Sequence, residues 1–306
     1  MKNSNDTKIN NSLSGILCCI NFNEVHYDNI EFLKDLYSNF VDVVFYGPER
    51  KQGFEVNQLC HHRGYFSYAV ILDAIKKFPD YNGYIFVNDD CIMNIWQFIN
   101  KDKTKVWLQP FHSKVNRHDY KESTWFWLNE PCGISAYGKA FLQIPRRYRE
   151  RLKSSFGSED AVICGPADCF YLPKRRINDF ASLFDIYFSN RVFTEIAVPT
   201  GLYAIEDKAQ ITVFKGHDRV TFPLSFIPYD LKAKIFYRGE LDLYHPLKLS
   251  NSKMRSMVKN MFNVYLFQRN KFFSKILRLC DLLRPFIWFW AYMYMIQGRF
   301  LRKIRY

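Results

Sequence analysis

The sequence predicts an α/β protein, a mixed sheet flanked by helices, followed by a basic amphipathic helical tail. Three observations carry that expectation. Short β-branched and aromatic runs alternate with amphipathic stretches through the first hundred residues, the third such run ends in adjacent carboxylates, and the basic charge is concentrated beyond residue 250.

Residues 15–20 and 41–46 read as strands, and Ile30, Leu33, Leu36, Tyr37 and Phe40 mark one face of a helix between them. A second helix is expected over 65–78, where Tyr65, Tyr68, Ala69, Leu72, Ile75 and Phe78 recur at helical spacing before Pro79. The turn residues Asp80, Tyr81, Asn82 and Gly83 then lead into the apolar strand 84–87. Asn88, Asp89 and Asp90 follow, with Cys91, Ile92 and Met93 behind them. In open α/β sheets ligands bind just past the strand ends, where these oxygens would meet a phosphate-bound hard cation. A competing reading makes Asp90 the cap of a helix over 92–100. The strand and helix order places Asn21, Phe22 and Asn23, and Tyr46, Gly47 and Pro48, at the same sheet edge, as a site for base and ribose. Arg63, in the run His61, His62, Arg63, Gly64, is a candidate phosphate partner, with a solvated surface arginine as the alternative. The absence of GxGxxG and Walker sequences disfavours a dinucleotide enzyme or a P-loop nucleotidase.

The acidic segment Asn88-Asp89-Asp90 resembles the Asp-any-Asp motif of the metal-dependent A-type (GT-A) glycosyltransferases, which ends a strand and is followed by apolar residues. This chain departs from that motif in carrying Asn at the first position. The resemblance implies a GT-A-like, Rossmann-like fold and transfer of a sugar from a nucleotide-diphosphate donor to a glycan or glycolipid hydroxyl. It implies Mn²⁺ or Mg²⁺ held by Asp90, with Asn88 and Asp89 serving the donor. A late histidine commonly joins the metal in that family; His245 would fill this role, His217 competes for it, and Lys248 would contact the diphosphate. Nucleotidyl transfer and a non-catalytic scaffold at the membrane are the alternatives; the first is weakened because Asn21-Phe22-Asn23-Glu24 is not a Gly-rich basic loop.

Residues 13–250 are expected to form the transferase domain, 13–100 as the nucleotide-sugar half and 101–250 as the acceptor half. Strands are expected at 106–111 and 169–173 and a helix at 176–188. Trp125, Phe126 and Trp127 offer rings for a sugar, although large aromatics more often fill a core. Glu195 is the first candidate for a general base, by a local similarity to the Asp-Ile-Ala segment of exostosin-like glycosyltransferases. Asp168 and the pair Glu159 and Asp160 are the alternatives, and each of these acids also suits a turn or a helix start.

Of the net charge of +13, residues 251–306 hold +11, with twelve Lys or Arg against Asp281 alone, so residues 1–250 are nearly neutral. The tail's aromatic run 285–296 lies between Arg284 and Arg299. It is too short to span a bilayer, which takes about 20 apolar residues, and it suits the interface of an anionic membrane. A homodimer interface is the competing account, and nucleic acid is disfavoured because no reading module accompanies the charge. Residues 1–12 are polar and expected to fray. They lack an apolar signal core, and the eight cysteines lack zinc or CxxC spacing, so a cytoplasmic, membrane-peripheral protein with reduced thiols is expected.

Overall fold

The computed structural model describes residues 13–119, 124–214, 216–217, 242–247 and 249–268. The chain divides into two compact units, Met1–Ser225 with Glu240–Arg255, and Phe226–Gly239 with Ser256–Tyr306. In the second, the described residues belong to one helix, which continues from the first as Ser252–Gln268. Lys248, residues 1–12 and the aromatic run 285–296 lie outside the described residues.

The first unit is built on a seven-stranded sheet. Its left half is parallel: β1 (Ile16–Asn21) pairs with β2 (Asp42–Gly47) and with β4 (Gly83–Asn88), and β3 (Asn57–Gln58) extends β2. The other half holds β9 (Cys169–Pro173), antiparallel to both β4 and β6 (Val106–Leu108), and β10 (Ile211–Val213), parallel to β6. Both halves inferred from the sequence thus contribute to one mostly parallel, Rossmann-like sheet. All six residues of β1 and of β4 are buried, which is why they read as unbroken apolar runs rather than alternating ones.

Helices cover the sheet where the sequence has apolar faces. α1 (Ile30–Tyr37) buries Ile30, Leu33, Leu36 and Tyr37. α2 (Ala69–Lys77) starts four residues later than expected, because His62, Arg63 and Gly64 are all in the left-handed region and the chain turns there. The expected helix over 92–100 is corrected. Ile92–Met93 form a short strand, β5, and only Ile95–Ile99 is helical, as α3. The partner that pulls Ile92 and Met93 into a strand is β12 (Leu243–Tyr244), some 150 residues away and invisible to local periodicity. Asp90 therefore precedes a strand and caps no helix. β12 also pairs in parallel with β11 (Gly216–His217).

Beyond these lie α4 (Ala136–Phe141), α5 (Arg146–Phe156), α6 (Ile177–Ser189) and α7 (Thr194–Ile205). β7 (Ser113–Asn116) and β8 (Ala161–Cys164) form an antiparallel pair the sequence reading did not find. α7 runs through the interior: every residue except Glu195 is buried, and Pro199 lies inside it. The Glu195 carbonyl that Pro199 cannot serve accepts the Gly165 amide instead (3.1 Å), and the Thr200 hydroxyl donates to the Ile163 carbonyl (3.0 Å) and accepts from the Ile163 amide (2.9 Å), which ties α7 to β8. Rings link sheet to helix, with Phe86 stacked on Phe170 (5.2 Å), Phe170 near Phe180 (6.2 Å) and Phe180 on Phe184 (3.8 Å). Each such buried side chain contributes about 1.5–3 kcal/mol.

Candidate active site

Parallel strands deliver their ends to one edge of a sheet, and an antiparallel neighbour delivers its beginning there. β1 and β4 accordingly end at Asn21 and Asn88, which are register partners, while β9 starts opposite Val87, so Asp168 just before it reaches the same edge. A chain of polar side chains results. Asn21 Nδ2 donates to Asn23 Oδ1 (2.8 Å) and Asn88 Oδ1 (3.1 Å), and Asn88 Nδ2 donates to Asp168 Oδ1 (3.0 Å). The Asn88 amide also donates to the Asp168 carbonyl (2.9 Å) and the Asp89 amide to the Asn21 carbonyl (2.9 Å). Asn21 is wholly buried, and among the described residues no donor reaches its Oδ1.

His245 closes the arrangement from the second sheet. Its Nε2 lies 3.4 Å from Asp90 Oδ2 and its Nδ1 lies 3.6 Å from Asp168 Oδ2. The β5 and β12 pairing aims it there, and the Leu247 amide donates to the Asp90 carbonyl (2.8 Å). Two residues outside the sequence reading fasten β12. Lys101 Nζ meets Asp242 Oδ2 at 2.9 Å with both side chains largely buried, and the Asn94 amide donates to the Asp242 carbonyl (2.8 Å). A lone lysine and aspartate 141 positions apart give no sequence signal. Gln109 was also missed: it is buried at the end of β6, and its Oε1 accepts from the Cys169 amide (2.9 Å).

Asp90, Cys91 and His245 have ligating atoms within 4.8 Å of one another. Cys91 is a poor member of such a set for a hard cation: burial, then the charge of Asp90, pushes its thiol well up, and it donates to Asp90 Oδ1 at 3.7 Å. The Asp90 carboxylate and the His245 Nε2 offer an oxygen and a nitrogen that suit Mn²⁺, while Asp168 faces the opposite ring nitrogen, Nδ1, outside the group that converges within 4.8 Å. Asp89 is different in character; burial first, and then the charge of Asp90, pushes its carboxyl up to about 7.

The remaining candidates take distinct places. Asn23 belongs to the polar chain and also touches the left-handed turn: a Cβ on Gly64 (φ +87°) would stand 2.3 Å from Asn23 Oδ1. Within that turn the buried His61 accepts the Gly64 amide on Nδ1 (2.9 Å). Burial, opposed by the Phe22 carbonyl, lowers the pKa of that imidazole and leaves the nitrogen free to accept. Arg63 is exposed and pairs with Glu24 (3.1 Å). The Tyr46 ring is wholly buried in the core, with Asp73 of α2 beside its hydroxyl. Glu195 opens α7, its carbonyl accepting the Gly165 amide (3.1 Å). The loop Gly165, Pro166, Ala167, Asp168 thus joins it to the polar chain; three peptide units reach at most about 11 Å. Gly165 also lets the loop run close to the 111–112 backbone, since a Cβ there would stand 2.7 Å from the Phe111 Cα. Glu159 and Asp160 precede β8, at its other end, roughly 13 Å from the loop along a four-residue strand. The His217 side chain lies outside the described set. Trp127 packs on Phe193 (4.5 Å) and Tyr65 (5.6 Å), whereas Phe126 is 65 % exposed.

No family model matches the chain. It is 26% identical over 188 residues to the probable glycosyltransferase STELLO1 of Arabidopsis thaliana and 23% identical over 189 residues to the probable glycosyltransferase STELLO2 of the same plant. Each match covers 61% of this chain and 24% of the relative, so the alignment spans about a quarter of the length of those proteins.

Proposed function

We propose that this protein is a metal-dependent glycosyltransferase that moves a sugar from a nucleotide-diphosphate donor to a hydroxyl of a glycan or glycolipid. The observation that carries this reading is the convergence of Asp90, Asp168 and His245 beside the buried Asn21 and Asn88 at the ligand edge of the sheet. The names of the two Arabidopsis relatives support the reaction class.

Asp90 and His245 would hold the cation, with Asp168 orienting the imidazole from its other nitrogen. A divalent ion there supplies neutralisation of charge on the departing diphosphate. Asn23 receives the ribose, with the buried Asn21 holding Asn23 and Asn88 in place, and Asp89 with Arg63 borders the phosphates. Lys248 approaches the diphosphate in this reading. Glu195, at the start of α7, takes the proton of the acceptor hydroxyl as general base. Residues 251–306 bring the enzyme to an anionic membrane surface on the cytoplasmic side, where a lipid-linked glycan would be the acceptor in polysaccharide assembly.

A screen of nucleotide sugars with Mn²⁺ tests the reaction. One donor is expected to raise Tm and to be hydrolysed or transferred, because a ligand that binds only the folded state stabilises it. Asp90→Asn should lower kcat roughly 100-fold or more while leaving Tm without ligand nearly unchanged. Full turnover by Asp90→Asn would remove the role assigned to this carboxylate.

A further inference from the structure

An open cleft of about 460 Å³ lies on the other side of the turn that touches Asn23, lined among others by His62, Tyr65, Phe66, Lys139, Asn190 and Arg191. No carboxylate lines it. Lys139 and Arg191 are exposed, and among the described residues neither is in an ion pair with an acid. Two cations line one hollow whose described lining residues include no carboxylate, so an anion there would supply the counter-charge.

Backbone conformation marks the same place. Among the described residues the only non-glycine residues with positive φ are His62 (49°), Arg63 (58°) and Arg191 (57°). Two of these three line the cleft and the third is their neighbour. Left-handed backbone costs a residue with a Cβ on the order of 1–2 kcal/mol, and such strain persists where the surroundings hold it in place. Here the Arg191 amide donates to the Phe188 carbonyl (3.1 Å), and the His62 ring rests edge-on against Phe66 (5.3 Å). The His62 ring and the Arg191 backbone are thereby held at the rim.

The cleft is also wired to the candidate base. Arg191 begins the run that ends at Glu195, and two amides of that run bond to cleft residues: Phe193 to the Cys132 carbonyl (2.8 Å) and Thr194 to the Tyr65 carbonyl (2.9 Å). Tyr65, 38 % exposed, shows part of its ring at the surface while its other contacts are Trp127 and Phe193. A ring beside paired cations matches a sugar that carries a negative group, the ring taking the apolar face of the pyranose and the cations the anion.

We propose that this cleft binds an anionic glycan, a saccharide bearing a carboxylate or a phosphate, with Arg191 and Lys139 on the charged group and Tyr65 against the ring. Its role as the acceptor subsite rests on the transferase reading; the binding itself does not. The test uses the full chain and isothermal titration with four probes: a hexuronic-acid disaccharide, a hexose 6-phosphate, a neutral disaccharide and inorganic phosphate. One of the two anionic saccharides should bind at least tenfold more tightly than the neutral one and than inorganic phosphate, and which of the two does so names the anionic group. Arg191→Gly and Lys139→Ala should each weaken that binding about tenfold. Glycine adopts φ near +57° without strain, so Arg191→Gly should keep or raise Tm, and lost binding would not reflect unfolding. Thermal stabilisation by nucleotide sugar and Mn²⁺, measured on the same samples, should be the same in wild type and both variants. Equal binding of neutral and anionic saccharides, binding of inorganic phosphate as tight as that of the sugars, or unaltered binding in both variants would overturn the proposal. Absent donor stabilisation with anionic binding intact would instead remove the transferase reading and leave the cleft.

Discussion

Asn88 occupies the first position of the acidic motif, and its amide does what a carboxylate could not. It accepts from Asn21 and donates to Asp168 at once, so a single side chain spans β1, β4 and the loop before β9. An aspartate there would set a second negative charge about one hydrogen bond from Asp168, at a position only 8 % exposed. Asn88→Asp should therefore lower Tm in the absence of metal, by about 1–3 kcal/mol of stability, and regain much of the loss when Mn²⁺ is added. Calorimetry with and without Mn²⁺ checks both halves. The acids at 89 and 90 were legible in the sequence because a strand runs into them. The tie between Asn88 and Asp168 was not, since it depends on β9 running antiparallel. The burial of the Tyr46 ring was not legible either, because β2 passes from an exposed start at Asp42 to three buried residues and the core packed against its end decides where that ring goes.

At the scale of elements, α7 is held at its far end by Glu206, wholly buried where the helix stops. Arg176 donates to it through Nε (3.0 Å) and Nη2 (2.9 Å), Arg175 pairs with Oε2, and the Asp207 amide adds a bond (2.9 Å). Burial alone would raise this carboxyl's pKa, but those donors outweigh it and hold it below the usual carboxylate range. A carboxylate with a depressed folded pKa binds fewer protons than in the unfolded chain, so its contribution is complete above the unfolded value. That contribution is lost as pH falls through the folded one. Acid titration of stability should show this loss, and Glu206→Gln should flatten it while costing about 1–3 kcal/mol near neutrality, because Arg175 loses its charge partner and Arg176 keeps only Asp179. Most elements could be read from period: strands β1, β2, β4 and β9 and helices α1 and α6 fall within a residue or a few of their expected places. β5 and β12 could not. Each is two residues long and exists through the other, and together they deliver His245.

Across the whole chain, charge separates into a nearly neutral part up to residue 250 and a strongly basic one after it. No helix among the described residues is long and apolar enough to cross a membrane. The start of the tail is helical, as its spacing predicts, through Gln268. The intact protein should float with vesicles rich in anionic lipid, less so as salt rises, and a form lacking residues 269–306 should stay in the soluble fraction. Flotation of both forms alike would leave the tail to a dimer contact, which sedimentation would reveal as a change in mass on deletion. The overall α/β class was legible because alternating periods survive any topology. The strand order and the second sheet were not, because they are set by pairings between distant segments.

The central claim is that Asp90, with His245, holds the divalent ion that carries the donor diphosphate. Electron paramagnetic resonance of Mn²⁺ titrated into the full chain with a nucleoside diphosphate tests it most directly, since bound and free Mn²⁺ are read apart without any turnover. One ion per chain should bind in the wild type, and Asp90→Asn and His245→Ala should each weaken that binding by roughly tenfold or more. Mn²⁺ bound equally well by wild type and Asp90→Asn would contradict the account.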